Sequence, residues 1–485
     1  MSVQIFLQGK LLGIEDFLVA PAAGAASTGD AITAGRAYWV TLVAEVLPRA
    51  LLAELGLAKI LLGTSGGGHF LVVLPDESRQ AAEQFLATAA EDISALSGGR
   101  LRLAWAVTEN LGDWSDVRKR LNEAMKRKRG TPAAGAGRSA FEPLPTGLEA
   151  AGETYFADLA ARLREASHVG WSPDEPGRPL LGAGKHCWPL DSAADGISVA
   201  RHTAPSDDSM TFASLAAFAS RASGRAVWGV LRGDVDDFGI RLRRAQTIEE
   251  HIQLSLMYKQ FFAGELEVVC SMPEFWRKVT ILYSGGDDFA VYGAWNALVA
   301  LAREVHRLFR RFSEEHLKDF PGPEGKTVSM ALALSPGEGA ALAGVYAEAG
   351  RMLERAKSVD KDCFHLLGRT LEWKHVADAA EIQETIRRLI VDFGCPPRMI
   401  EELAGFYRET SWGGERQGRS REGRVERPWR LHWRINRLEG PTRDREFQRL
   451  RMSLITDLVG KSAAQARLRS SGRVALEWAR LQTEV

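Results

Sequence analysis

The apolar positions of this chain follow two rhythms. Short apolar runs stop abruptly at glycine and charge. Val227-Trp228-Gly229-Val230-Leu231 runs into Gly233-Asp234-Val235-Asp236, and Leu282-Tyr283 runs into Ser284-Gly285-Gly286-Asp287-Asp288-Phe289. Such runs predict β-strands with acids at one edge, and the paired glycines suit a tight hairpin. Longer stretches predict helices over Ile32–Leu55, Glu77–Leu96, Ser115–Lys128, Thr247–Glu265, Asn296–His316 and Gly339–Lys357. Strands over Leu101–Val107, Thr327–Leu334 and Cys363–Trp373 complete the pattern.

Set in order, these elements repeat. Gly9-Lys10-Leu11-Leu12 and Thr64-Ser65-Gly66-Gly67-Gly68-His69-Phe70 match the two acidic segments at nearly equal separation. Lys10 aligns with Asp234, Gly68 with Asp287 and His69 with Asp288. Each half reads β-α-β-β-α-β, the ferredoxin-like order. The expected fold class is α+β, with two such domains in pseudo-twofold arrangement. Residues 1–129 form the degenerate unit, 130–225 a small intervening domain of helix and loop, 226–375 the acidic unit, and 376–485 an α-helical domain. Gly130–Gly137 reads as a linker from its Gly, Pro and Ala content, and Gly170–Ser192 as a long loop. Helices are expected at Ile382–Phe393, Arg398–Thr410 and Arg443–Val459.

The acids carry the candidate chemistry. Two neighbouring strands with Asp at one edge can hold two divalent cations, Mg²⁺ or Mn²⁺, and such a pair performs nucleotidyl transfer in a palm-type polymerase or cyclase. A structural turn does not account for Asp234, Asp287 and Asp288, because acids packed together without a cation repel one another. In the other half Lys10 would repel a cation and Gly68 offers no ligand, so no catalytic metal is expected there. The backbone amides of Ser65, Gly66, Gly67 and Gly68 could still bind phosphate. His69 reads as a polar filler, and Trp295 and Trp373 as core.

Composition narrows the setting. Apolar content of 45% and charged content of 26% are those of an ordinary globular protein. Net charge is zero, so nucleic-acid contact needs a local basic patch. One exists: Gly405–Arg451 holds 13 Arg and no Lys against 7 acids, with Trp412, Trp429 and Trp433 interleaved. Arginine with aromatics suits RNA, and a protein neighbour suits it equally. No apolar run is long enough to span a membrane, and the N-terminus lacks a signal-peptide pattern. Four scattered cysteines without a Cys-x-x-Cys pair fit a reducing cytoplasm.

The pairing of a Ser-Gly-Gly-Gly half with a Gly-Asp-Val-Asp and Gly-Gly-Asp-Asp-Phe half resembles the large subunit of type III CRISPR effector complexes. The resemblance runs from about Ile5 to Trp373, more loosely beyond, and Gly13-Ile14-Glu15-Asp16-Phe17, Tyr292-Gly293-Ala294-Trp295 and Arg355-Ala356-Lys357 support it. It implies synthesis of cyclic oligoadenylates from ATP when the complex binds target RNA. The implied partners are a crRNA-containing assembly with repeat-type RNA-binding subunits and small helical subunits. Asp234, Asp287 and Asp288 match the metal-binding carboxylates. The turn Asp236, Asp237, Phe238 and Gly239 would offer amides to the triphosphate, beside the Ser284, Gly285 and Gly286 hairpin. Lys357 falls where related enzymes place a lysine on the triphosphate, although a lysine in the last turn of a helix also complements its dipole.

Two departures stand out. Many members begin with an HD nuclease domain, but no His-Asp dipeptide occurs, so no DNase of that type is expected in this polypeptide. Many also carry a zinc site between the palms, whereas here Cys187 beside His186 cannot complete a tetrahedral set. The competing readings are a diguanylate cyclase, whose motif prefers Glu at the Asp288 position, and a catalytically silent scaffold subunit.

Overall fold

The structure, a computed structural model, describes residues 4–22, 26–130, 150–191, 195–206, 213–410, 423–424, 428–441, 443–459 and 467–483. The expected linker from Thr131 onward lies outside these residues, as do Trp412 and most of the arginine-rich loop around it.

The first half runs β1 (Gln4–Leu12), α1 (Ala26–Glu54), β2 (Leu62–Gly66), β3 (His69–Pro75), α2 (Arg79–Leu96) and β4 (Arg102–Glu109). Its sheet has the order β2-β3-β1-β4, and every neighbouring pair is antiparallel. Side chains alternate across a strand, so Ile5, Leu7 and Leu11 pack with α1 and α2 while Phe6 turns to the other face. There α3 (Trp114–Gly130) covers it with Trp114, Val117 and Leu121. Helix α1 is apolar on nearly every side, the pattern of a helix enclosed by protein. Its Tyr38 hydroxyl donates to the Ile281 carbonyl of the second half at 3.0 Å.

The second half repeats the scheme with β5 (Trp228–Val235), α4 (Ile248–Gln260), β6 (Val279–Ser284), β7 (Asp288–Ala294), α5 (Trp295–His316) and β8 (Val328–Leu334). It continues through α6 (Leu342–Val359) into β9 (Cys363–Leu366) and β10 (Arg369–Glu372), giving the order β10-β9-β8-β5-β7-β6. Both faces of this sheet are buried. Leu231, Val291 and Met330 join the core beneath α4 and α5, while Trp228, Val230, Leu282 and Tyr292 join the core of the first half. The halves therefore share an apolar layer.

Several elements differ from the sequence expectation. Cys363–Trp373 is a hairpin and not one strand, because Leu367 and Gly368 take positive φ of 50° and 75° and reverse the chain. Helix α4 does not end at Glu265; it passes through a π-helical turn, Phe261–Glu265, into Leu266–Cys270. Gly170–Ser192 is not simply a loop: His168–Trp171, Leu180–Leu181 and His186–Pro189 pair as a small sheet. At the C-terminal end α7 (Trp373–Val391) starts nine residues before the expected Ile382, at Trp373, the expected end of a strand, whereas α8 (Arg398–Thr410) and α10 (Arg445–Val459) lie close to the expected spans. The short α9 (Pro428–Asn436) and the buried α11 (Ser470–Thr483) were not anticipated. These helices share one apolar core with the second sheet, through residues such as Trp373, Leu389, Leu403 and Trp478. Among the described residues no helix is long and apolar enough to cross a membrane.

The repeat extends to packing detail. A Cβ on Gly9 would lie 2.1 Å from the Phe70 ring, and one on Gly233 would lie 2.3 Å from the Phe289 ring. In both halves a glycine one residue before the rim admits an aromatic ring from the facing strand. Both rings are fully buried and have little space to withdraw into. Gly9→Ala and Gly233→Ala should each lower unfolding free energy by about 1–3 kcal/mol through overpacking. Urea denaturation would measure this, and an unchanged midpoint for either variant would contradict the packing described.

Candidate active site

The acidic rim is built by strand register. Strands β5 and β7 pair antiparallel with Asp234 directly opposite Asp288. The Val235 amide donates to the Asp287 carbonyl at 2.9 Å, and Gly285 N–H donates to the Asp288 carbonyl at 2.7 Å, closing the hairpin. Its shape demands glycine: a Cβ on Gly285 would fall 2.3 Å from Asp288 Oδ1. All three acids therefore sit at one corner of the sheet, half-buried.

Their electrostatics follow from that crowding. Burial, then Asp288 and Asp234, push Asp287 well above the usual carboxylate range. Burial raises Asp288 to about 6, against the hydrogen bond donated by the Tyr283 hydroxyl to Oδ2 at 2.8 Å. Burial also raises Asp234, although Lys357 Nζ lies 2.6 Å from its Oδ1. Lys357 thus reaches the rim from the last turn of α6 and contacts an acid directly.

Hard oxygen donors on adjacent rigid strands suit Mg²⁺ or Mn²⁺. Among the described residues, however, no three His, Cys, Asp or Glu side chains converge into a ready coordination sphere. Asp234 is turned to Lys357 and Asp288 to Tyr283. The donor chemistry fits a divalent ion, and occupation requires Asp234 to exchange its ammonium partner for the cation.

The neighbouring turn divides into a structural and an open part. Asp236 is 1% exposed. Its carboxylate accepts from Thr327 Oγ1 at 2.7 Å, Ser329 Oγ at 2.8 Å and the Asp362 amide at 3.0 Å. Its own amide donates to the Thr327 carbonyl at 2.9 Å, so it is not offered to a ligand as the sequence reading supposed. Asp237, at φ 56°, pairs with Lys361 and leads into the short helix Phe238–Arg244. The amides at the start of a helix lack intrahelical partners, which leaves those of Phe238 and Gly239 directed outward. Phe238 itself packs edge-on against Tyr258, with ring centroids 4.9 Å apart. The far end of this helix is held by Arg118 of α3, which donates to the Leu242 and Ala245 carbonyls at 3.0 and 3.2 Å.

The hairpin of the first half meets the rim. Gly66, Gly67 and Gly68 all have positive φ, and Lys10 pairs with His69 in the register that Asp234 and Asp288 occupy in the second half. A Cβ on Gly67 would lie 3.3 Å from the Gly286 amide, and one on Gly285 would lie 3.3 Å from Gly67 Cα. The two glycine turns therefore lie side by side, with the gap between them too narrow for a side chain at either position. The Ser65 hydroxyl does not face this junction; it donates to Glu45 Oε2 at 2.8 Å. The Ser284 hydroxyl likewise donates inward, to the Phe262 carbonyl at 2.6 Å. Burial and nearby Lys10 lower the basicity of His69.

Sequence reasoning passed over several residues around this junction. Arg232, two positions before Asp234, makes a two-pronged ion pair to Glu15 at 2.7 and 3.2 Å and lies 4.2 Å over the Tyr346 ring. Glu45 and Lys259 pair across the halves at 2.6 Å. No local pattern marks these residues, since each partner lies some two hundred positions away in the chain. Glu15 does lie within the quoted Gly13–Phe17 segment, which gave no hint of its partner.

Residues 227–365 match the family model described as Cas10/Cmr2, second palm domain. The chain is Cas10-like. This Cas10-like chain is 25% identical over 400 residues to the CRISPR system single-strand-specific deoxyribonuclease Cas10/Csm1 (subtype III-A) of Mycobacterium tuberculosis, covering 63% of this chain and 48% of that protein. A shorter match, 30% identical over 104 residues, joins it to the Enterococcus italicus protein of the same description, with 20% of this chain and 13% of that protein covered. The Cas10-like chain thus spans about half the length of the first of these relatives. Among solved structures, a Csm1-Csm4 cassette in complex with cA4 superposes with a TM-score of 0.73 at 15% identity, covering 99% of this chain and 70% of that one. A cassette with one ATP superposes with a TM-score of 0.66 at 17% identity and the same coverage. These likenesses show the fold.

The raised acids yield a direct test. The folded protein takes up protons at Asp287 and Asp288 before the unfolded chain does, so its stability falls as pH rises above about 4, the share from Asp288 being lost by about pH 6. In EDTA at pH 7.5, Asp287→Asn should raise the melting temperature by a few degrees, and the gain should vanish toward pH 4. Mg²⁺ should raise the melting temperature of the parent protein more than that of the variant. A parent protein that is more stable than the variant at pH 7.5 in EDTA would contradict the repulsion.

Proposed function

We propose that the chain is a nucleotidyltransferase subunit of a type III CRISPR effector complex that converts ATP to cyclic oligoadenylates. The observation that carries this reading is the placement of Asp234 and Asp288 on paired strand ends, with Asp287 in the turn between β6 and β7, beside the Gly67 turn of the first half. We read the two halves as ferredoxin-like palms in a pseudo-twofold pair, because both use one strand order and one glycine–phenylalanine packing device. One palm carries acids, the other a cation and glycines, which gives a donor side and an acceptor side at a single junction.

In this reading Asp234, Asp287 and Asp288 hold Mg²⁺ or Mn²⁺, which supply activation of a ribose 3′-hydroxyl and neutralise charge on the α-phosphate and the leaving pyrophosphate. Lys357, released from Asp234, turns its ammonium to the triphosphate. The Phe238 and Gly239 amides receive phosphate oxygens at the start of their helix. The Ser65–Gly68 backbone approaches the second nucleotide closely, because its glycines leave no Cβ in the way. The two turns hold the acceptor hydroxyl near the donor phosphate, and positioning of this kind accounts for much of the rate in a reaction between two bound substrates. Neighbouring structures bound to cA3, cA4, pppApApA and AMPPNP support the choice of adenine nucleotides. Solved Csm1-Csm4 subcomplexes support a Csm4-type partner, with crRNA and target RNA as the remaining members of the assembly.

The test uses the chain purified with its native partners, given ATP and GTP with Mg²⁺ or Mn²⁺, with and without RNA complementary to the guide. Mass spectrometry should find cyclic oligoadenylate only with complementary RNA, and Asp287→Ala/Asp288→Ala should abolish it while the fold persists. Lys357→Met should lower turnover by about 10²-fold while metal affinity rises, because Asp234 no longer has an ammonium partner to give up. Cyclic di-GMP would move the chain to the diguanylate cyclases, and no nucleotide product despite a bound guide would leave a scaffold.

A further inference from the structure

The two rim serines are not independent. Ser65 is the last residue but one of β2 and Ser284 the last of β6, at positions the repeat makes equivalent. Ser65 Oγ donates to Glu45 Oε2 at 2.8 Å, and Glu45 Oε1 accepts from Lys259 Nζ at 2.6 Å. Lys259 Nζ also reaches Ser65 Oγ at 3.2 Å, and Arg49 donates to Glu45 Oε2 at 2.8 Å. Lys259 lies in the last turn of α4, three residues before Phe262. The Phe262 carbonyl, inside the π-helical turn, accepts from Ser284 Oγ at 2.6 Å. A continuous path thus leads from one glycine turn to the other: Ser65, Glu45, Lys259, the end of α4, Phe262 and Ser284.

Physical considerations favour a purpose for this path. The side chains of Glu45, Arg49 and Lys259 are 3%, 9% and 15% exposed, so the charges are removed from water. A buried ion pair is a poor route to stability, because desolvation offsets much of its attraction. It does impose a single geometry, which an apolar contact of the same size would not. Two elements of different halves must be held in register here, because a Cβ on Gly67 or on Gly285 would come within 3.3 Å of the opposite turn. A π-helical turn at this point also matches the tendency of such turns to occur at functional sites.

We infer that Glu45 and Lys259 are positioning residues that lock the two glycine turns in register, so that the nucleotides held by the two halves meet in line. The inference rests on the nucleotidyltransferase reading for its consequence and on the geometry above for its existence. Neither residue touches the acids; each acts through a serine or a helix end.

Glu45→Ala would strand a buried lysine and could fail to fold, so the informative variant is Glu45→Gln/Lys259→Met, which removes the pair at similar volume and leaves Arg49 the Glu45 carbonyl at 2.7 Å and an amide oxygen as acceptors. Lys259→Arg, which keeps the pair, serves as the conservative rescue. In the partner-bound complex the double variant should keep its melting temperature within a few degrees. It should lose at least tenfold in kcat for product formation, while KM for ATP changes by less than twofold and Lys259→Arg stays near the parent. Independently of activity, hydrogen exchange in the nucleotide-free protein should quicken by tenfold or more at both turns, 65–69 and 284–288. Parent-like kcat in the double variant, or exchange that quickens at neither turn or at only one, would overturn the inference. If the parent makes no nucleotide product while exchange responds at both turns, the strap stands and the nucleotidyltransferase reading fails.

Discussion

The double burial of the second sheet is the constraint on which the rest depends. One face packs under α4, α5 and the C-terminal helices, the other against the first half, and alternation along each strand supplies apolar residues to both. A sheet covered on two sides leaves only its edges and strand ends in contact with water. Polar chemistry on this sheet is thereby confined to the corner where β5 ends and the β6–β7 hairpin turns. The three aspartates occupy that corner, and the repulsion among them is tolerable because one side remains half-open to a cation.

The same burial sets the position of the first half. Helix α1 is wedged between the two sheets and cannot shift without exposing Trp39, Leu42 and Val43. It carries Tyr38 to the second sheet and Glu45 to Lys259. The degenerate turn is brought against the acidic turn as a consequence. The Arg232–Glu15 pair and the Arg118 clamp on the 238–244 helix add polar contacts at the margins of this interface. Two glycine turns from different halves are thereby held beside each other within one chain.

The region around Asp236 shows why neighbouring acids take different roles. Asp234 and Asp236 both point to the same side of the strand path, two residues apart. Asp234 keeps access to the rim, whereas Asp236 is enclosed by Thr327, Ser329 and the Asp362 amide. It fastens the 358–363 segment to the start of β8, and so holds Lys357 and Lys361 beside the site. A carboxylate that satisfies three donors is a structural bolt, and its proximity in the sequence to the acids of the rim is misleading.

Much of the fold was legible because local rules fix it. Glycines before acids marked the hairpin, period-two and period-3.6 patterns marked most strands and helices, and the repeat of Gly9-Lys10 with Gly233-Asp234 revealed two halves. Elements whose character depends on distant packing were misread. The β9–β10 hairpin and the small sheet within 168–189 are too short for a periodic signal, and α11 shows only the narrow polar stripe of Arg473, Glu477 and Arg480 among otherwise buried positions from Ser471 to Leu481. For the candidate site, residue type and spacing singled out the acids and the glycines, the family resemblance singled out Lys357, and the structure brings Lys357 to Asp234. Tertiary structure alone decided that Asp236 is structural, that the serine hydroxyls point inward, and that Glu45 meets Lys259. Those facts depend on pairings between residues far apart in the chain, and a sequence records which groups exist but not which of them share a low-dielectric space.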